Sequence, residues 1–185
     1  GIKYFMILFF LSCNTGGIND SRISDREKNY ILPFPKGKRY VCSQGFNTNF
    51  SHHGTFTYSV DFDMEIGTLI TAAREGKVVR IIQQYRDFEF GRGKNNVVII
   101  KHKDGSFGRY CHLTHNGSLV VLEQNVAAGD SIAYSGQSGF TDHPHLHFDV
   151  TAEQTGEFDQ TIPFYFKDIP EEDGELREGQ WYTRK

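Results

Sequence analysis

The clearest alternation of polar and apolar positions is His145-Leu146-His147-Phe148-Asp149-Val150. Successive side chains of a strand point to opposite faces. His145 and His147 would therefore emerge together, about 6.5–7 Å apart, with Leu146 and Phe148 packed on the other side. Residues 40–46, 56–62, 66–73, 76–82, 97–102 and 107–113 are rich in Val, Ile, Phe, Tyr and Thr and also read as strands. Lys103-Asp104-Gly105-Ser106 carries the Asp-Gly signal of a hairpin turn. Segments 66–73 and 76–82 join through Arg74-Glu75-Gly76, and 84–96 reads as a loop around Gly91, Gly93 and Asn95-Asn96. A final hairpin is expected from 161–166, with 179–182 closing the domain. No segment has the period of a long amphipathic helix, and no internal repeat is visible. The expected fold is mainly β.

Composition supports this reading. Nineteen glycines, 16 phenylalanines and nine tyrosines suit short strands and tight turns. A length of 185 residues fits one domain with a real core. Twenty Lys+Arg against 23 Asp+Glu leave a net charge of −3, without the basic surplus of a protein that binds nucleic acid through phosphates.

Residues 1–13 read as a signal segment. Lys3 precedes an apolar run over 4–11 that is too short to cross a bilayer as a helix but suits the core of a secretory signal. Phe10-Leu11-Ser12-Cys13 resembles the lipobox of bacterial lipoproteins, departing from it at Phe10, where Leu is usual. An exported protein of the bacterial envelope, lipid-anchored at Cys13, is the expectation. A cleaved signal with an incidental cysteine, or a buried N-terminal strand, are the other readings. Residues 14–29 form a polar tether, and 30–185 the folded domain.

Two imidazoles on one strand can share a metal, or one can bind it while the other moves protons. Upstream, Ser51-His52-His53-Gly54 precedes Asp61, and Gly54 permits a turn that returns a histidine towards that carboxylate. Nitrogen and oxygen donors of this kind suit zinc. Either pair alone is more often a hydrogen-bonded structural feature.

Four motifs, however, occur in series: Ser-His-x-Gly…Asp-Phe, Gly-Thr…Ala-Ala-Arg-x-Gly-x-Val, Tyr-x-His-Leu and Pro-His-Leu-His-Phe. With them the chain resembles the lysostaphin/LytM-type zinc metallopeptidases, bacterial endopeptidases that cut cross-links or bridges in peptidoglycan. The resemblance implies a single antiparallel β-sheet domain of the duplicated hybrid motif kind, with a metal groove on one face. It implies one Zn²⁺ per chain on His52, Asp61 and His147, three protein ligands with an open position for catalysis. His145 then matches the catalytic histidine. His112 matches its partner, which orients the nucleophile or stabilises the oxyanion through its N–H. The His-x-Gly frame selects His52 over His53.

Two departures stand out. The interval from His52 to Asp61 is longer than usual, and Glu123-Gln124 replaces a Gly-Gln turn. His143 is expected to be a loop histidine and His102 to be solvated beside Lys101 and Lys103; His115, just past the Tyr-x-His-Leu motif, is assigned no place in the groove. Peptidoglycan peptides are the implied substrate of a monomeric enzyme. The competing readings are a non-catalytic envelope protein of the same fold, which binds wall or regulates other hydrolases, and a peptidase aimed at proteins. Cys111 is expected to face away from the metal, and Cys42 and Cys111 to form either one disulfide or two buried thiols.

Overall fold

The computed structural model describes residues 30–156, 158–169 and 175–185. The expectations for the signal segment, the lipobox and the tether lie outside these residues. Eleven strands are described: β1 Arg39–Gln44, β2 Ser59–Asp63, β3 Leu69–Thr71, β4 Gly76–Ile82, β5 Val97–Lys101, β6 Phe107–Cys111, β7 Leu113–Ser118, β8 Asn125–Val126, β9 Ser131–Ser135, β10 His145–Thr151 and β11 Trp181–Thr183. Among the described residues the helical structure is a single short 3-10 turn, Gly54–Phe56. None of the described helices is long and apolar enough to cross a membrane.

Eight strands form one sheet in the order β11-β1-β2-β10-β6-β5-β4-β8, and β3-β9-β7 form a second. All of these pairings are antiparallel. The mainly β, antiparallel expectation is met. The registers Leu146↔Phe62, Phe148↔Val60, Phe148↔Tyr110 and Val98↔Tyr110 place these residues on one face of the large sheet. That face forms a continuous core with Ile70, Leu113, Ile132 and Ala133 of the smaller sheet. The other face carries Asp61, His147, Asp149, Arg109 and Cys111 by the same registers. Pleating thus divides the sheet into a dry face and a chemical face.

The two strands expected over 66–73 and 76–82 are present as β3 and β4, and they go to different sheets, since β3 pairs with β9 and β4 with β5 and β8. Several other local expectations are corrected. Residues 161–166 form no hairpin. They run as an extended segment held by isolated bridges, Thr151↔Thr161 and Tyr30↔Phe166. Pro163 can donate no ladder hydrogen bond, and the segment's contribution is aromatic. Phe164 and Phe166 are buried against Phe148, with ring centroids at 5.1 and 6.0 Å. The strand expected over 107–113 breaks at His112, whose φ of 59° ends β6 and turns the chain into the second sheet.

His102 is buried rather than solvated. Its Nδ1–H donates to the Glu75 carbonyl at 2.8 Å, the Tyr30 ring stands edge-on at 5.4 Å, and its Nε2 lies over the backbone of Gly108. Burial pushes this imidazole below the ordinary histidine value. Nearby Arg74 adds to the effect, and the Glu75 hydrogen bond and the Asp104 and Glu75 carboxylates oppose it.

A depressed histidine leaves the folded state binding fewer protons than the unfolded chain. Its stabilising contribution is therefore complete above the unfolded pKa of about 6.5 and is lost as pH falls through the folded value. Replacing His102 by Gln keeps a donor for Glu75 but removes the titration. The variant's melting temperature should fall less steeply than wild type between pH 7 and pH 5. An unchanged slope in thermal melts would assign the acid sensitivity to other groups.

Candidate metal centre

Asp61 sits mid-strand on β2, 3% exposed, directly opposite His147 on β10. His147 Nδ1 lies 2.8 Å from Asp61 Oδ1. His52 arrives from the loop between β1 and β2, with its Nε2 3.1 Å from Asp61 Oδ2. Donor atoms of His52, Asp61 and His147 all fall within 4.8 Å of one another. His52 is 1% exposed whereas His53 is exposed, so His52 is the one brought to the carboxylate.

The proton positions are dictated by the outer hydrogen bonds. His52 Nδ1 is 2.9 Å from the Gly45 carbonyl, which can only accept, so the ring proton sits on Nδ1. Nε2 is left as a buried lone pair with no donor. His147 Nε2 is 3.0 Å from Asp149 Oδ2, which holds a proton on Nε2 and leaves Nδ1, 2.8 Å from Asp61 Oδ1, as the atom this ring can offer a metal. The unpartnered His52 Nε2, the Asp61 carboxylate and His147 Nδ1 then face one another, an arrangement a cation would satisfy. The donor set fits zinc.

Charge tells the same story. Burial alone would lower the His147 imidazole, but Asp61 and then the Asp149 hydrogen bond overcome it and raise it to about 9. Asp61 is held well below the usual carboxylate range: burial would raise it, and the His145 and His147 rings outweigh that. Asp149 is completely buried, and Arg109 grips it with Nε at 2.6 Å and Nη2 at 2.8 Å. Burial opposes ionisation here too, and the guanidinium brings Asp149 down to about 2.

The two remaining histidines flank this group. His145 Nδ1 donates to the His143 carbonyl at 2.9 Å, with Thr141 Oγ1 also within 3.1 Å, and its Nε2 stands 3.8 Å from Asp61 Oδ1. His112 Nδ1 donates to the Ser138 carbonyl at 2.8 Å, and its backbone N–H is held by Asn95 Oδ1. The His112 and His145 ring centroids are 4.7 Å apart. Burial lowers both pKa values. His112 falls to about 3, pushed further by His145 and His147, so both rings are neutral near pH 7. Each presents an unprotonated Nε2.

All five residues singled out in the sequence converge. The others do not join them. His143 bridges Asp63 at 3.0 Å and Asp142 at 2.5 Å on a half-exposed loop, and His115 does not line the groove. The groove is a cavity of about 670 Å³ above the chemical face, walled by Phe50, Phe56, Phe140, Phe158, Arg80 and Arg92. Cys111 also lines it, contrary to expectation. The backbone turn at His112 abolishes strict alternation, so adjacent residues reach the same space. Cys42 lies on the core face, and among the described residues both cysteines are buried and neither is in a disulfide. Sequence reasoning missed Asp149 and Arg109, although the strand parity of Asp149 with His147 was available as a signal. It also missed Gln44, Asn95 and Ser138, for which it offered none.

Known proteins bear on this geometry. ShyB of Vibrio cholerae, a peptidoglycan DD-endopeptidase, is 31% identical over 141 residues, covering 71% of this chain and 31% of ShyB. A crystal structure of a zinc-containing peptidase from Vibrio cholerae superimposes with a TM-score of 0.50 at 29% identity, over 67% of this chain and 37% of that one. The antimicrobial peptidase lysostaphin from Staphylococcus simulans gives a TM-score of 0.52 at 28% identity, over 67% and 47%. The chain spans a third or less of the length of the curated relatives it matches. Residues 55–159, which hold Asp61, His112, His145 and His147 but not His52, match Peptidase family M23, and the chain belongs to that family.

Proposed function

We propose that this chain is a zinc-dependent endopeptidase that hydrolyses peptide bonds in peptidoglycan cross-links or bridges. The observation that carries the reading is the convergence of His52, Asp61 and His147, whose ligand atoms lie within 4.8 Å of one another with His52 Nε2 buried and without a hydrogen-bond partner. The substrate class is supported by peptidoglycan endopeptidases among its relatives. The outer membrane antigenic lipoprotein B of Haemophilus influenzae, 29% identical over 140 residues, supports an envelope location and gives context to the lipid anchor read at Cys13.

Bound at these three residues, one Zn²⁺ per chain would supply Lewis-acid polarisation of the scissile carbonyl and a nucleophile at neutral pH. His145 is the general base. Its Nδ1–H is committed to the His143 carbonyl, so Nε2 is the atom that accepts the proton of the attacking water and returns it to the leaving amine. The Thr141 and His143 contacts hold the ring in one orientation through that exchange. His112 is committed in the same way to Ser138, so its neutral Nε2 accepts rather than donates. That favours orienting the nucleophile over stabilising the oxyanion. Asp149, clamped by Arg109, fixes the His147 tautomer that frees Nδ1.

Wild-type protein should contain about one zinc per chain and release peptide fragments from purified peptidoglycan. His147→Ala should lose both. Zinc without cleavage of any wall type would point to a binding or regulatory protein, and no zinc in the wild type would sink the site. His145→Ala separates the roles. It should keep its zinc while fragment release drops by about 10²–10⁴-fold, and loss of zinc in that variant would move His145 into the ligand set.

A further inference from the structure

The loop that delivers His52 poses a problem of its own. His147 and Asp61 are fixed by the ladder between β10 and β2, but His52 is separated from Asp61 by nine positions and lies on no strand. Something must hold this loop to the carboxylate. The side chain at that junction is Gln44, the last residue of β1.

Its placement depends on a register defect. Cys42 pairs with Phe62 on the core face, and an unbroken antiparallel register would then put Ser43 opposite Asp61. Instead the register shifts by one residue between Cys42 and Gln44, and Gln44 becomes the partner of Asp61. Gln44 shares the parity of Cys42, so simple alternation would send it towards the core. The bulge turns it to the chemical face, the re-aiming that such irregularities produce beside functional sites.

Once there, the amide uses both ends. Its Nε2 donates to Asp61 Oδ2 at 2.7 Å and lies 2.9 Å from Ser51 Oγ. Its Oε1 accepts from Thr48 Oγ1 at 3.0 Å, from the Ser51 backbone N–H at 3.3 Å and from Ser51 Oγ at 3.2 Å. The next carbonyl along the chain, Gly45 O, fixes the His52 ring. One end of the amide therefore grips the carboxylate and the other grips the residues just before His52. Resting on the metal site proposed above, we propose that Gln44 is a positioning residue: it orients the Asp61 carboxylate and fixes the His52 loop against it, preassembling a half-site whose two ligands are far apart in sequence.

The test uses zinc itself, in competition with a chromophoric chelator. Gln44→Met keeps the bulk and removes the amide. Thr48→Val with Ser51→Ala cuts the side-chain bonds to the loop but leaves the Gln44–Asp61 contact. Gln44→Met should weaken zinc binding by about 10–100-fold, the usual effect of losing a group that supports a ligand. At saturating zinc, its kcat should return towards wild type. The double variant, which keeps the Asp61 contact and the Ser51 N–H bond, should weaken zinc binding less than Gln44→Met does. Unchanged affinity in Gln44→Met overturns the inference, and so does an equal loss in both variants, which would make Gln44 a loop staple only. A wild-type protein that binds no zinc overturns the metal site itself, a result distinguishable from either.

Discussion

A carboxylate buried in the middle of a sheet is the constraint on which the chemical face depends. Removing Asp61 from water costs several kcal/mol unless its charge is answered, and every neighbour is arranged to answer it. Gln44 donates to one oxygen, and His52 Nε2 and His147 Nδ1 converge on the same space. Burial would lower the His147 imidazole, but Asp61 and Asp149 hold a proton on it and raise its pKa to about 9. Metal binding at the proposed site would exchange that proton for a cation in a field already shaped for positive charge. Arg109 neutralises Asp149 and keeps this second carboxylate from drawing the cation away from Asp61.

The rest of the fold serves that arrangement through its pleating. Because β2, β10 and β6 pair without a slip, Phe62, Leu146, Phe148 and Tyr110 fall together on the dry side and the charged residues on the other. A one-residue slip would exchange the two sets. The apolar face thus enforces the register that brings His147 opposite Asp61. His112 needs a different device. Its left-handed backbone, a conformation costing about 1–3 kcal/mol outside glycine, is held by Asn95 on its N–H and Ser138 on its ring. That turn places the His112 ring beside His145 and sends the chain into the second sheet.

What could be read from the sequence follows from these causes. Strands 97–101 and 145–151 were legible from composition, the first as a β-branched run and the second from His and Asp alternating with apolar residues, although both are buried on nearly every residue. The proposed ligands were legible through the motifs, since residue types at fixed spacing survive without knowledge of the fold. Asp149 could have been found by parity alone. Gln44 could not, because a bulge reverses its parity, and Cys111 was misplaced because the turn at His112 breaks the alternation beside it. The hairpin expected at 161–166 failed because an extended, aromatic segment with a proline looks like a strand whether or not a partner strand lies beside it. His102, between two lysines, looked solvated, but a strand edge can bury one residue while its neighbours reach water.

These causes also separate what is fixed in the site from what can vary. Asp61, His145 and His147 stand on paired strands whose backbone bonds run through the centre of the sheet, so their spacing is set by the ladder. The groove walls come from loops: Phe50 from the one before β2, Arg92 from the one before β5, Phe140 from the one before β10, and Phe158 from the segment after it. Arg92 lies over both Phe140 and Phe158, 5.7 and 5.8 Å from their ring centroids, so three separate loops meet across the groove. Changing those side chains alters what the groove accepts without moving the strand-borne ligands. His52 is the exception, a proposed ligand carried on a wall loop. The bonds from Gly45 and Gln44 at the loop's base let one segment be variable at Phe50 and fixed two residues later.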